Sequence, residues 1–161
     1  MKKYELTEET FTVFGKTLYR IRAVRDFGSV KTGEFGGYIE KEENLSHFGN
    51  AWIYGDARVS GNARVYGDAR VSGNAWVYGN AEVFNTRHFF VQGPIGSRDG
   101  YVTFYRTKDD TVEVRCGCFS GSLQEFVNQV EETHGGSRYE KEYKLAAELA
   151  KVCIRLEGES R

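Results

Sequence analysis

Proline, methionine and cysteine are scarce in this chain: one proline, one methionine and three cysteines stand in 161 residues. An odd, small number of cysteines provides no disulfide framework, which fits a reducing compartment. No apolar run approaches the ~20 residues of a membrane span, and the opening MKKYELTEET lacks the apolar core of a signal peptide. A cytoplasmic location is therefore expected, and no membrane partner. An excess of charge of one sign is missing too. Acids and bases number eight and eight before residue 49, three and three over 49–84, and twelve and eleven thereafter, for a net charge of −1. No basic stripe or tail marks the chain for nucleic acid.

Repetition fills the middle of the chain. The frame Gly-Asn/Asp-Ala-x-Val-x runs six times without a slip, from GNAWIY through GDARVS, GNARVY, GDARVS and GNAWVY to GNAEVF, residues 49–84. Ala51, Ala57, Ala63, Ala69, Ala75 and Ala81 form a small set; Ile53, Val59, Val65, Val71, Val77 and Val83 form an aliphatic set. Residues two apart share one face of an extended strand, so each hexad predicts a short strand with one apolar face. Glycine followed by Asn or Asp supplies a bend between strands. So short a strand cannot bury its face alone, and successive rungs must stack on a common core.

Before the repeat, Leu18, Arg20 and Arg22 alternate with Tyr19, Ile21 and Ala23, a strand pattern. The frame degrades here: Ile39 and Leu45 enlarge the small-residue slot, while Lys41 and His47 fall in the aliphatic one, as expected of a capping turn. After Phe84 the frame stops, and a boundary is placed near residues 85–87. Pro94 favours a turn or edge position. In YVTFYRTKDDTVEVRCGCF two alternating runs flank KDD and predict a hairpin, with Val112, Val114, Cys116 and Cys118 on one face. Two helices follow, opened by capping boxes Ser122–Glu125 and Ser137–Glu140. The last helix carries one apolar stripe of Tyr139, Tyr143, Ala146, Ala150 and Cys153 and a second of Leu145, Leu149, Val152 and Leu156, and so broad a surface calls for two partners.

The array resembles the hexapeptide-repeat family, and LYRIRAVRDF with VKTGEFGGYIEKEENLS ahead of it resembles a phage and prophage group within that family. The resemblance implies a left-handed parallel β-helix with three hexads per coil, and a group often labelled as transferases. Three hexads per coil place Trp52 over Arg70, Arg58 over Trp76 and Arg64 over Glu82, two cation–π pairs and one ion pair. The expected fold is mainly β with α: a short left-handed parallel β-helix of about two to three coils, two of them over 49–84, an N-terminal β cap with an atypical first coil over 1–48, and a C-terminal β-hairpin plus two-helix module over 85–161.

Chemistry is sparse. An acyltransferase of the family uses a histidine on its coils, but His47, His88 and His134 all lie outside the uninterrupted hexads, with no acceptor pocket evident beside them. Cys116 and Cys118 offer two sulfurs where zinc wants about four ligands, so no metal, cofactor or catalytic residue is expected. GPIGSRDG offers an anion-binding turn, with Ser97, Arg98, Tyr101, Arg106 and Arg115, and Tyr105 beside them, as candidate ligand residues; CFSGS at a helix start is a second. Leu145, Leu149, Val152 and Leu156 are the candidate oligomer interface. The leading expectation is a non-catalytic scaffold or interaction protein that self-associates and binds a host or phage protein. Capture of a nucleotide-like ligand by the C-terminal module, in a setting of interference with host defence, ranks second, and an enzyme third. The inward assignment makes a direct prediction: Ala63→Glu buries an unpaired charge and unfolds the repeat, whereas Arg64→Ala lowers the thermal midpoint by no more than a few degrees. Equal tolerance of the two substitutions in a melting experiment overturns it.

Overall fold

The computed structural model describes residues 1–157. The chain opens with a hairpin, β1 (Tyr4–Val13) and β2 (Lys16–Ala23), then β3 (Phe35–Ile39) and a 3-10 turn at Glu42–Asn44. Six two-residue strands follow: β4 (Trp52–Ile53), β5 (Arg58–Val59), β6 (Arg64–Val65), β7 (Arg70–Val71), β8 (Trp76–Val77) and β9 (Glu82–Val83). β4 pairs in parallel with β7, β5 with β8 and β6 with β9, and Trp52 stands opposite Arg70, Arg58 opposite Trp76 and Arg64 opposite Glu82. Each pairing thus joins strands three hexads apart, the interval expected of one coil. All twelve residues of the small and aliphatic sets are at most 1 % exposed. The repeat's glycines, Gly49, Gly55, Gly61, Gly67, Gly73 and Gly79, take φ between 59° and 71°, the left-handed backbone that turns each corner.

The side-chain contacts expected from this register form only in part. The Arg58 guanidinium lies 5.4 Å from the Trp76 ring. Trp52, by contrast, is fully buried under the N-terminal segment, against Tyr4 and Phe27. Arg64 turns to the Tyr66 ring at 5.8 Å instead of to Glu82. These columns are lined up as expected, but only one of the three forms its pair.

Ahead of the repeat the pairing interval changes. Ile39 stands opposite Val59 and Leu45 opposite Val65, an interval that exceeds three hexads by two positions. Both are buried in the aliphatic slot and not, as the unshifted frame predicts, in the small one. Gly37 holds the small slot, and a Cβ there would come within 2.3 Å of the Ala57 carbonyl oxygen. The two extra positions fall between Leu45 and Ile53, where Phe48 loops out into solvent. Lys41 and His47 consequently leave the core. The Lys41 ammonium reaches Asn62, and His47 stacks on Tyr4 at 4.1 Å while its Nδ1 accepts from the Lys3 backbone N–H.

After the repeat, a 3-10 turn at Thr86–His88 leads into an antiparallel sheet of β10 (Phe89–Ile95), β11 (Gly100–Arg106), β12 (Val112–Cys116) and β13 (Phe119–Ser122), in that order. The expected single hairpin is thus only the centre of four strands. β10 and β13 escape the sequence pattern because the FFVQGPI run carries a proline and FSGS carries no aliphatic residue; Pro94 sits on the edge strand. Helices α1 (Leu123–His134) and α2 (Arg138–Cys153) pack on this sheet through Phe126, Val130, Ala146, Ala147 and Ala150. The Ser122–Glu125 box forms reciprocally. The second box does not: the Ser137 hydroxyl donates to the His134 carbonyl, and Glu140 accepts from the Gly136 N–H. Cys118 lies in the exposed β12–β13 turn and not on the face shared by Val112, Val114 and Cys116. Among the described residues, no helix is long and apolar enough to cross a membrane.

His88 is buried at the join, its Nδ1 accepting from the Phe84 N–H. Burial, reinforced by the Arg106 guanidinium nearby, lowers its pKa to about 4. The folded state therefore favours the neutral ring. That contribution is complete above about pH 6.5 and is lost as pH falls toward 4. In urea unfolding between pH 7 and pH 4, the wild-type chain should lose on the order of 2 kcal/mol more stability than His88→Asn, whose amide oxygen keeps the acceptor without the titration. Parallel pH profiles for the two chains would contradict this assignment.

Candidate functional site

A cleft of about 850 Å³ opens where the hairpin, the repeat and the C-terminal module meet. One wall is the hairpin tip, Val13 and Phe14. A register shift in β1 between Leu6 and Thr10 lets the hairpin bend, and Phe14 and Gly15 at its turn take φ of 50° and 77°. The hairpin thereby folds over the outer face of β5 and β8. Phe11 covers the Arg58 guanidinium at 4.2 Å, and Phe14 stacks on Trp76 with centroids 5.9 Å apart and planes 9° from parallel. Trp76 is fixed from below, its Nε1–H donating to the Ser60 hydroxyl at 2.7 Å and its backbone N–H to Thr103 Oγ1 at 2.8 Å.

At the centre sits Arg115. Its guanidinium lies 4.2 Å from the Trp76 ring, 4.4 Å from Tyr78 and 5.3 Å from Phe14, and the residue is only 7 % exposed. The rings hold the plane of the cation but accept none of its in-plane N–H groups. Its Nε is buried without a hydrogen-bond partner among the described residues. Arg58 and Arg98 also line the cleft, and no carboxylate of the described residues does. The surrounding wall is mixed: Tyr101, Phe119 and Phe126 bring apolar surface, and Asn74, Gln129 and Thr133 bring neutral polar groups.

Of the residues predicted to bind ligand, Ser97, Arg98, Tyr101 and Arg115 come together in this cleft. Arg106 does not. It is turned toward the end of the repeat, where its Nε donates to Asp110 at 2.9 Å and its Nη1 to the Glu82 carbonyl at 3.0 Å, so it ties the module to the repeat. Tyr105 is buried in the repeat core and also stands apart. In the GPIGSRDG turn the Gly96 N–H donates to Glu142 and the Asp99 N–H to the Gly96 carbonyl, so these two amides are already engaged. The start of α1 is likewise occupied by its own Glu125.

Sequence reasoning missed Phe14, Arg58 and Trp76. Arg58 and Trp76 were legible as one column of the repeat, three hexads apart, but nothing local brings the tip of a hairpin far upstream onto Trp76. His134, expected to have no pocket beside it, does line the cleft, packed against Tyr139 and Tyr143. Cys116 lines it too; burial pushes its thiol above the ordinary value, which makes it a poor nucleophile. Among the described residues, no group of three or more His, Cys, Asp or Glu side chains is placed to hold a metal. On α2, Leu145, Leu149 and Val152 are 70 %, 46 % and 66 % exposed, whereas Leu156 lies beyond the helix and packs against the C-terminal core.

A comparison with curated proteins gives no match. A family model described as the YdcK beta solenoid repeat matches residues 51–65 and 63–79. With the parallel pairing of β4 to β9, that match identifies the central repeat as a β-solenoid carrying mixed β and helical elements at its ends.

Proposed function

We propose that this chain is a non-catalytic binding protein in which the β-solenoid is a rigid scaffold and the junction cleft captures a small anionic ligand. One observation carries the reading: Arg115 is buried, unpaired at Nε, and faces a cleft with no carboxylate among the described residues. Burying a cation without a partner is costly, and buried arginines are ordinarily paired. Two other arginines show the rule, although Arg25, half-buried, also has an Nε without a partner among the described residues and donates to the His47 carbonyl. Arg106, buried to a similar degree, is held by Asp110, and Arg20 by Glu9 and Asp56. An anion supplied from outside gives Arg115 what Asp110 gives Arg106. A cleft of this volume suits a small molecule. Catalysis finds less support, because Cys116 is driven toward its protonated form and His134 is packed between aromatic rings.

The hexapeptide frame and the GGYIE and ENLS segments support a finer reading, a left-handed coil of the phage type with about two to three turns. With that origin the protein acts in the cytoplasm of a host cell, where ligand capture suits interference with host defence.

The outer stripe of α2 supports a second role, pairing with a second copy of the chain. Leu145, Leu149 and Val152 recur at helical spacing, flanked by Lys144, Glu148 and Lys151, the arrangement of one face of an antiparallel helix pair.

Two measurements test these readings. In thermal-shift assays, millimolar pyrophosphate should raise the melting midpoint of the wild-type chain by several degrees; Arg115→Met should abolish the shift and Arg98→Ala reduce it. No shift for the wild-type chain, or an undiminished one for Arg115→Met, is the adverse outcome. In multi-angle light scattering, the wild-type chain should run as a dimer, and Leu145→Glu with Val152→Glu as a monomer. A concentration-independent wild-type monomer excludes the self-association role.

A further inference from the structure

The cleft offers more than positive charge. Two large rings remain open to a ligand on its walls: Phe14, 60 % exposed at the hairpin tip, and Tyr101, 40 % exposed at the start of β11. Neither is needed to fill a core at that exposure, and the hairpin turn that contains Phe14 carries its ring to the cleft. The volume of about 850 Å³ far exceeds what one inorganic anion fills. The same walls carry Asn74, Gln129 and Thr133, neutral side chains that both donate and accept. Positive charge, flat apolar surface and neutral polar groups in one cleft are the complement of a molecule with a phosphate, a planar heterocycle and hydroxyl groups.

We infer that the cleft takes a free nucleotide, with its phosphate on Arg115 and Arg98 and its base against Phe14 and Tyr101. This rests on the anion-binding reading above and adds the base. Arg115 suits the phosphate because the Trp76, Tyr78 and Phe14 rings fix its guanidinium plane, so its N–H edge is oriented before the ligand arrives. Stacking on exposed rings tolerates any base, so affinity follows the presence of a base more than its identity. The site is also composite: the hairpin supplies Phe14, the repeat Arg58 and Trp76, and the C-terminal module Arg98, Tyr101 and Arg115.

The test is isothermal titration of the full chain with AMP, GMP, ribose 5-phosphate and pyrophosphate. AMP and GMP should bind about tenfold or more tightly than ribose 5-phosphate, the margin expected of base stacking. Tyr101→Ala should erase most of that margin while leaving ribose 5-phosphate and pyrophosphate affinities unchanged; Phe14→Leu, which keeps apolar contact with Trp76 but removes a ring that also borders Arg115, should weaken AMP and GMP by a larger factor than the two base-free ligands. Arg115→Met should weaken all four ligands. Circular dichroism melts of each variant establish that it is folded. If the two nucleotides bind no tighter than ribose 5-phosphate, or if Phe14→Leu and Tyr101→Ala leave their affinity intact, the nucleotide assignment is wrong while anion binding stands. If none of the four binds the wild-type chain, both fall.

Discussion

A stack of short parallel rungs leaves backbone amides and carbonyls open at both of its ends, and the rest of this molecule is organised around covering them. Inside the stack the groups satisfy one another, as when the Trp52 N–H donates to the Ala69 carbonyl and the Arg58 N–H to Ala75. At the ends there is no further rung, and an unpaired buried peptide group costs about as much as a lost hydrogen bond. On the N-terminal side the Lys3 ammonium donates to the Ala51 carbonyl at 2.6 Å, and the Asn44 amide to those of Gly61 and Ala63. The cost of burying Lys3 shows in its pKa, brought down to about 8 by desolvation and by the charge of Arg25. On the C-terminal side Thr103 accepts from Trp76, Thr86 from Arg70, and Lys108 and Arg106 donate to Asn80 and Glu82.

Capping of this kind also makes the cleft. The hairpin β1–β2 extends the rungs through β3, in the sheet order β1-β2-β3-β5-β8, to seal one end, and the four-stranded sheet must lie under β8 and β9 to seal the other. Both therefore approach the same column, Arg58 and Trp76, from opposite directions. The helices pack on the second sheet and leave a gap to the hairpin tip, and that gap is the cleft. Its rigidity follows from the same contacts. Trp76 is held at its backbone by one cap and at its indole by the repeat, so the ring that orients Arg115 has little freedom.

This division explains what could be read from the chain. Inward residues of the repeat were legible because one slot, one residue type and one interval recur six times, so that Ala63 and Val65 declare their burial as clearly as Ala75 and Val77. The N-terminal turn misled because an insertion of two positions near Phe48 displaces the frame upstream, putting Ile39 and Leu45 in a slot that the hexad count assigns to Lys41 and His47. Four of the five candidate ligand residues line one cleft, and they lie close together in the C-terminal segment. Arg106 was included among them on the same ground of proximity, yet neighbouring strands of one sheet direct Arg106 and Arg115 to different places, one to the end of the repeat and the other into the cleft. Phe14 was beyond reach, since its role depends on a tertiary fold-over that no short-range pattern encodes.

The contrast between those two arginines also bears on how the site is to be understood. Each is more than nine-tenths buried and each lies near aromatic rings, Arg106 over Phe84 at 5.1 Å and Arg115 over Trp76 at 4.2 Å. Ring contacts alone were therefore not sufficient for the structural arginine; it has Asp110 and the Glu82 carbonyl besides. If Arg115 served only to pack β12 against the solenoid, a neutral side chain of similar length would do so without the cost of desolvating a charge. Keeping a cation there, between fixed rings and in a cleft that no described carboxylate lines, makes physical sense where the countercharge arrives with a ligand. On the proposed reading, the solenoid contributes through stiffness, holding the ring that aims the guanidinium, while recognition belongs to the segments that close its ends.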